Sequence, residues 1–93
     1  LQGEIIYSDR FGNLTTNISA ELINETFLSS DTIKIQVGKQ RIEGFVTGYY
    51  QMKSGQPGAI INSWNQLEIF YREDSAQKKL KARVGQSVSL KAN

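Results

Sequence analysis

Four short stretches hold the residues whose types and spacing could do chemistry. In "DRFGNLTTNI", residues 9 to 18, an acid, an aromatic, a glycine and an amide fall close together. Asp9 can hold a cation such as an ammonium, Gly12 permits a tight backbone turn, and Asn13 offers both donor and acceptor to a planar ligand. Phe11, apolar between Arg10 and Gly12, suits a surface on which something docks. The competing reading is a turn in which Asp9 and Asn13 hydrogen-bond their own backbone, and on sequence grammar alone the two weigh evenly. "TGYYQ", residues 47 to 51, carries two adjacent tyrosines. On a strand they face opposite ways, so that one fills the core and the other can stack on a purine; the plainer alternative is that both pack. "NSWNQLEI", residues 62 to 69, ends an apolar run at Asn62 and Ser63, where a turn exposes hydroxyl and backbone groups, and adds Trp64, the only tryptophan. Its alternative is an asparagine-turned hairpin with a core indole. "YREDS", residues 71 to 75, closes another apolar run with Arg72 and Glu73, charges that can equally well solvate a loop.

Composition excludes much. The 93 residues contain no cysteine and no histidine. A disulfide framework, a thiolate nucleophile and a Cys-ligated zinc are therefore absent, and so are the commonest metal ligand and the commonest general base. Residues of this chain are expected to bind more than to react. The net charge of +2, with eleven basic and nine acidic residues, is too small and too interleaved for a nucleic-acid footprint, which is a concentrated basic stripe. The nearest approach is Lys78, Lys79, Lys81 and Arg83 within residues 77 to 91, better read as a solvated face. No run approaches the roughly 18 apolar residues of a membrane span and no secretory pattern opens the chain, so a soluble, cytoplasmic protein is expected. The sequons at Asn17 and Asn24 are common by chance and carry no weight. No phosphate loop, dinucleotide fingerprint or nucleophile elbow is present.

The elements that must position these residues are mostly strands. Apolar residues alternate with polar ones in "GEIIYSD", in "DTIKIQV", in "RIEGFVTGYY" after a "GKQ" turn, and in "QSVSLKA", the period of half-buried strands. "AIINSW" and "LEIFYR" read as two more, and "KSGQPG" as the clearest loop. Two stretches break the pattern. Residues 19 to 27, "SAELINETF", open with a capping serine before good helix formers. "DSAQKKLKA" places Gln77 three residues after Asp74, a capping-box spacing. Many short strands with one or two short helices predict an all-β fold, a small closed β-barrel, because closure removes exposed edges. At this length the chain forms a single domain, residues 1 to 93. It opens on Leu1, not Met, which predicts a piece of a longer product.

Taken in order, "GEIIYSDRFGNLTTNI", "YYQMKSGQPGAIINS" and "LEIFYREDSAQKKLKARVGQSVSL" resemble the C-terminal domain of the S-adenosylmethionine (SAM) hydroxide adenosyltransferases, the family of SAM hydrolases that also contains the fluorinase and chlorinase. The resemblance covers nearly the whole chain. It implies a Greek-key barrel of about seven strands that follows an N-terminal α/β domain. It also implies homotrimers whose active sites lie between the N-terminal domain of one subunit and the C-terminal domain of its neighbour. The implied reaction displaces methionine from the adenosyl C5′ by hydroxide or halide, with SAM as substrate and no cofactor, and the activating residues belong to the N-terminal part.

The resemblance also implies roles. Asp9 matches the acid that holds the methionine ammonium, and Phe11 and Asn13 match the adenine pocket, by apolar contact and by hydrogen bonds to the base edge. Tyr49, or Tyr50 with a one-residue shift, matches the aromatic that stacks on adenine. Ser63 falls where the methionine carboxylate is met, and Arg72 and Glu73 fall on a strand end whose backbone reads adenine. Trp64 stands where the fluorinase type has arginine, which tilts the expectation towards the hydrolytic branch. Two other readings stay open: an OB-like module that holds a nucleotide or single strand with Tyr49, Tyr50 and the lysine-rich end, and an assembly domain whose aromatics pack against another subunit.

Overall fold

Strict alternation sets the strands. In β3 (Ile33–Val37) the residues Ile33, Ile35 and Val37 are buried while Lys34 and Gln36 turn away, as a period of two requires. The computed structural model describes residues 1–93. The remaining strands are β1 (Gln2–Ser8), β2 (Leu14–Ser19), β4 (Gln40–Glu43), β5 (Pro57–Ile61), β6 (Gln66–Tyr71) and β7 (Ser87–Ala92). Two short helices, α1 (Ala20–Thr26) and α2 (Ala76–Leu80), complete the chain with one 3-10 turn, Tyr49–Gln51.

All seven strands join one antiparallel sheet in the order β4-β3-β7-β1-β2-β6-β5. Non-sequential neighbours such as β2 with β6 and β3 with β7 give it crossovers of Greek-key kind. The two ends of the sheet meet where Val46, just beyond β4, bridges Ile60 of β5 and donates its N–H to the Ala59 carbonyl at 2.9 Å. The result is the expected small barrel, nearly closed. Its interior is filled by Ile5, Leu14, Ile18, Ile35, Leu67, Ile69 and Leu90, each at most 1% exposed. Each such side chain contributes about 1.5–3 kcal/mol by leaving water. No helix is long and apolar enough to cross a membrane.

A second, smaller layer lies outside the barrel and matters more for the site. Leu67 and Ile69 of β6 face the core, so Glu68 and Phe70 point the other way. They are nevertheless only 7% and 1% exposed. The chain between β4 and β5 covers them: the Tyr49 ring meets Phe70 edge-on, with centroids 4.7 Å apart at 79°. Gly58 lets this layer close, because a Cβ there would stand 2.6 Å from Phe70 Cζ and 2.8 Å from Met52 Cγ.

The structure corrects two expectations and excludes one alternative. The strand foreseen over residues 41 to 50 stops at Glu43, and the two tyrosines sit on a 3-10 turn. The Gln51 side-chain carbonyl accepts from the N–H of Thr47 at 2.6 Å and of Gly48 at 3.1 Å, which takes those donors away from any ladder. The cap of α2 is Ser75, whose Oγ accepts from Lys78 N at 3.1 Å. Asp74 turns its carboxylate to Ser75 N, and Gln77 donates to the Ala82 carbonyl, so no box forms. Trp64 is 69% exposed and no part of the core. The serine cap of α1 is as expected, with Ser19 Oγ accepting from Leu22 N at 3.1 Å.

Candidate functional site

The turn between β1 and β2 is built by Asp9. Its Oδ1 accepts from the N–H of Phe11 and of Asn13, both at 2.9 Å, while its backbone exchanges hydrogen bonds with Asn13 and Gly12. The turn reading is therefore realised, yet it occupies one carboxylate oxygen and leaves Oδ2 free for a ligand. Gly12 takes φ +85° and passes its carbonyl to Gln77 N of α2 at 2.9 Å. A Cβ there would collide with the Ser75 side chain, 2.7 Å from its Cβ. Gly12→Ala is expected to destabilise the protein by about 1–3 kcal/mol, from left-handed strain and the displaced helix cap. Urea unfolding checks this, and an unchanged midpoint would contradict it.

Two clefts open beside this turn. One, of about 540 Å³, is lined by Phe11, Asn13, Tyr49, Tyr50, Arg72 and Glu73 among others. The other, of about 460 Å³, is lined by Asp9, Tyr49, Ser63, Trp64 and Glu68 with Tyr7, Thr15 and Asn62. Tyr49 is common to both and forms the wall between them. Every residue given a ligand role from the sequence thus falls on one cleft or the other. The sequence reading missed Glu68, although a lone charge inside the apolar run "LEIFY" was a visible signal. It also missed Phe70, Tyr71 and Asp74 in the first cleft and Tyr7 and Thr15 in the second.

Each cleft has its own chemistry. In the first, Phe11 and Tyr50 are 65% and 73% exposed, and the Arg10 guanidinium lies 4.9 Å from the Phe11 ring centroid. The Arg72 guanidinium donates to the carbonyls of Tyr50 at 2.8 Å and Met52 at 2.7 Å, pinning the 3-10 turn; its role is to hold the cleft wall. Glu73, at φ +59°, lies in the turn just after β6. Aromatic rings next to the Asn13 amide make this cleft fit for a flat heteroaromatic base.

The second cleft is acidic, with two carboxylates facing hydroxyl, amide and indole groups. Tyr49 donates its hydroxyl to Glu68 Oε2 at 2.6 Å. Loss of solvent around the phenol, the hydrogen bond to Glu68, and the negative charges of Glu68 and Asp9 all push its pKa above the ordinary tyrosine value. The phenol stays protonated and donating. Tyr71 is raised as well, by burial and by the charge of Asp74. No group of three or more His, Cys, Asp or Glu could hold a metal ion. The arrangement has the shape and charge to grip a flat ring and a cationic tail.

Comparison with known proteins bears on this geometry. Among solved structures the chain is similar to an uncharacterized conserved protein from Thermotoga maritima, at 22% identity and TM-score 0.79, over 97% of this chain and 35% of that one. It is likewise similar to a conserved hypothetical protein from Thermus thermophilus, at 27% identity and TM-score 0.76, over 97% of this chain and 34% of that one. The chain thus spans about a third of the length of the solved structures it matches. No curated protein matches it. The family model that matches, over residues 3–89, is the SAM hydroxide adenosyltransferase C-terminal domain. With most of the chain, six strands in whole or nearly so, and both clefts inside that match, the protein belongs to the SAM hydroxide adenosyltransferase C-terminal domain family.

Proposed function

We propose that this domain supplies the adenine and methionine contacts of a SAM hydrolase, in which hydroxide attacks the adenosyl C5′, the C5′–S bond breaks, and adenosine and methionine result. The observation that carries the reading is the shared wall: an aromatic cleft and an acidic cleft meet at Tyr49, as a ligand with a base at one end and an ammonium at the other requires. Adenine lies against Tyr49 and Phe11 with its edge at Asn13 and at the backbone of Arg72 and Glu73. The methionine ammonium pairs with the free Oδ2 of Asp9, and Ser63, exposed beside Trp64 on the turn, meets the carboxylate. Trp64 borders the same end of the ligand with its indole face.

The domain's part is positioning. Groups that activate the attacking hydroxide come, on this reading, from an N-terminal α/β domain of a neighbouring subunit in a homotrimer, and no cofactor is needed. Ligand recognition here rests on stacking and short-range hydrogen bonds, not on a field of charge. A crystal structure of the two-domain protein with adenosine tests the placement. Adenine is expected against Tyr49 with its edge within hydrogen-bond distance of Asn13. A base bound outside both clefts would overturn the assignment.

A further inference from the structure

The carboxylate of Glu68 is the feature the proposed contacts leave unused. It sits on β6 between Leu67 and Ile69, both fully buried, and is itself 7% exposed. Burying an ionised carboxylate is costly unless it is paired. No cation pairs with it; the ion pairs of the molecule lie elsewhere. Two neutral donors reach it instead: Tyr49 OH at 2.6 Å to Oε2, and Asn62 Nδ2 at 3.4 Å to Oε1. For stability alone, an apolar cluster in place of Glu68 and its two donors would serve as well or better.

The two donors are what the site depends on. Tyr49 is the wall between the clefts, and its hydroxyl bond to Glu68 has the short length of a charge-assisted O–H···O⁻ contact. Asn62 governs the turn after β5: its Oδ1 accepts from Trp64 N at 3.0 Å and Gln66 N at 3.1 Å, so the same amide that donates to Glu68 shapes the turn carrying Ser63 and Trp64. Asn62 Nδ2 also reaches Thr15 Oγ1 at 3.4 Å, tying the cluster to β2. One buried carboxylate therefore links the wall to the turn.

We infer that Glu68 is the positioning residue of this site, fixing Tyr49 and the Ser63–Trp64 turn relative to each other so that both ends of one ligand are met at once. The inference rests on the adenosine-binding reading. Glu68 touches no reacting atom. It acts through the ring it clamps and the turn it braces.

The test uses the two-domain protein with Glu68→Met, Glu68→Gln and Tyr49→Phe, measuring adenosine affinity by calorimetry and thermal stability in parallel. Glu68→Met fills the space without an acceptor and leaves the Tyr49 hydroxyl and the Asn62 amide without this partner, so stability is expected to fall modestly while adenosine affinity falls roughly tenfold or more. Glu68→Gln keeps a carbonyl for the Tyr49 hydroxyl and is expected to recover most of that loss. Combined with Tyr49→Phe, Glu68→Met is expected to cost little beyond the larger single effect, because both remove the same clamp. Ultraviolet titration of tyrosinate gives a ligand-independent readout: in Glu68→Met one tyrosine ionises at lower pH than in the wild type, and the change is absent in the Tyr49→Phe background. Wild-type affinity in Glu68→Met, fully additive losses, or an unmoved tyrosine titration would overturn the positioning role and leave the binding reading standing. A wild-type protein that binds no adenosine would overturn the binding reading, and the role with it.

Discussion

Asp9→Asn in the two-domain protein is expected to weaken SAM by about tenfold to a hundredfold while leaving adenosine nearly as well held. The magnitude follows from losing one charged hydrogen bond, on the order of 1.5–3 kcal/mol. The selectivity follows from structure. An asparagine still presents an oxygen to the N–H groups of Phe11 and Asn13, the two bonds that Asp9 Oδ1 now accepts, so the turn persists and only the charge disappears. Adenosine has no ammonium and does not sense that loss. Asn13→Ala, by contrast, weakens both ligands, since both present the same base edge. The informative quantity is the ratio of the two affinities measured by calorimetry. Equal weakening of SAM and adenosine by Asp9→Asn would leave Asp9 as a turn residue alone.

Where period-two alternation was complete, the strand could be read directly. β3 and β7 lie where "DTIKIQV" and "QSVSLKA" place them, and the Ser19 cap opens α1. The misreadings share a cause. The strand expected through Tyr49 and Tyr50 fails because a side chain, Gln51, takes the backbone donors a ladder would use, a competition that apolar periodicity does not register. At α2, Asp74 and Ser75 are both capping types, and the choice falls to Ser75 because Asp74 is drawn to the Ser75 N–H and to Lys79. A core position was the alternative for Trp64, and the turn held by Asn62 puts it outside.

Within the site, the turn chemistry of "DRFGN" could be read, because Asp9 and Asn13 are types that hydrogen-bond their own backbone within one short stretch. Glu68 could not. In sequence it is one charge among the apolar residues of β6, where alternation would send it to solvent. Its burial comes from the Tyr49 turn, 19 residues away, folding back over the outer face of the barrel. A site made by two layers coming together leaves little trace in either layer alone.

The 93-residue domain is expected to consume no SAM at a useful rate by itself, and this is the largest effect the account entails. It carries no histidine or cysteine, and on the proposed reading the groups that activate the attacking hydroxide lie outside it. Positioning of reactants accounts for about 7–11 kcal/mol of a barrier, so a separated half-site forfeits on the order of 10⁵-fold in rate or more. The direct measurement is SAM consumption, followed by chromatography of adenosine and methionine, for the two-domain protein and for the 93-residue chain alone. Equal amounts of adenosine and methionine from the former, and none above buffer from the latter, is the expected result. A two-domain protein that releases no adenosine, or a purified 93-residue chain that does so undiminished after removal of contaminating enzyme, would contradict it.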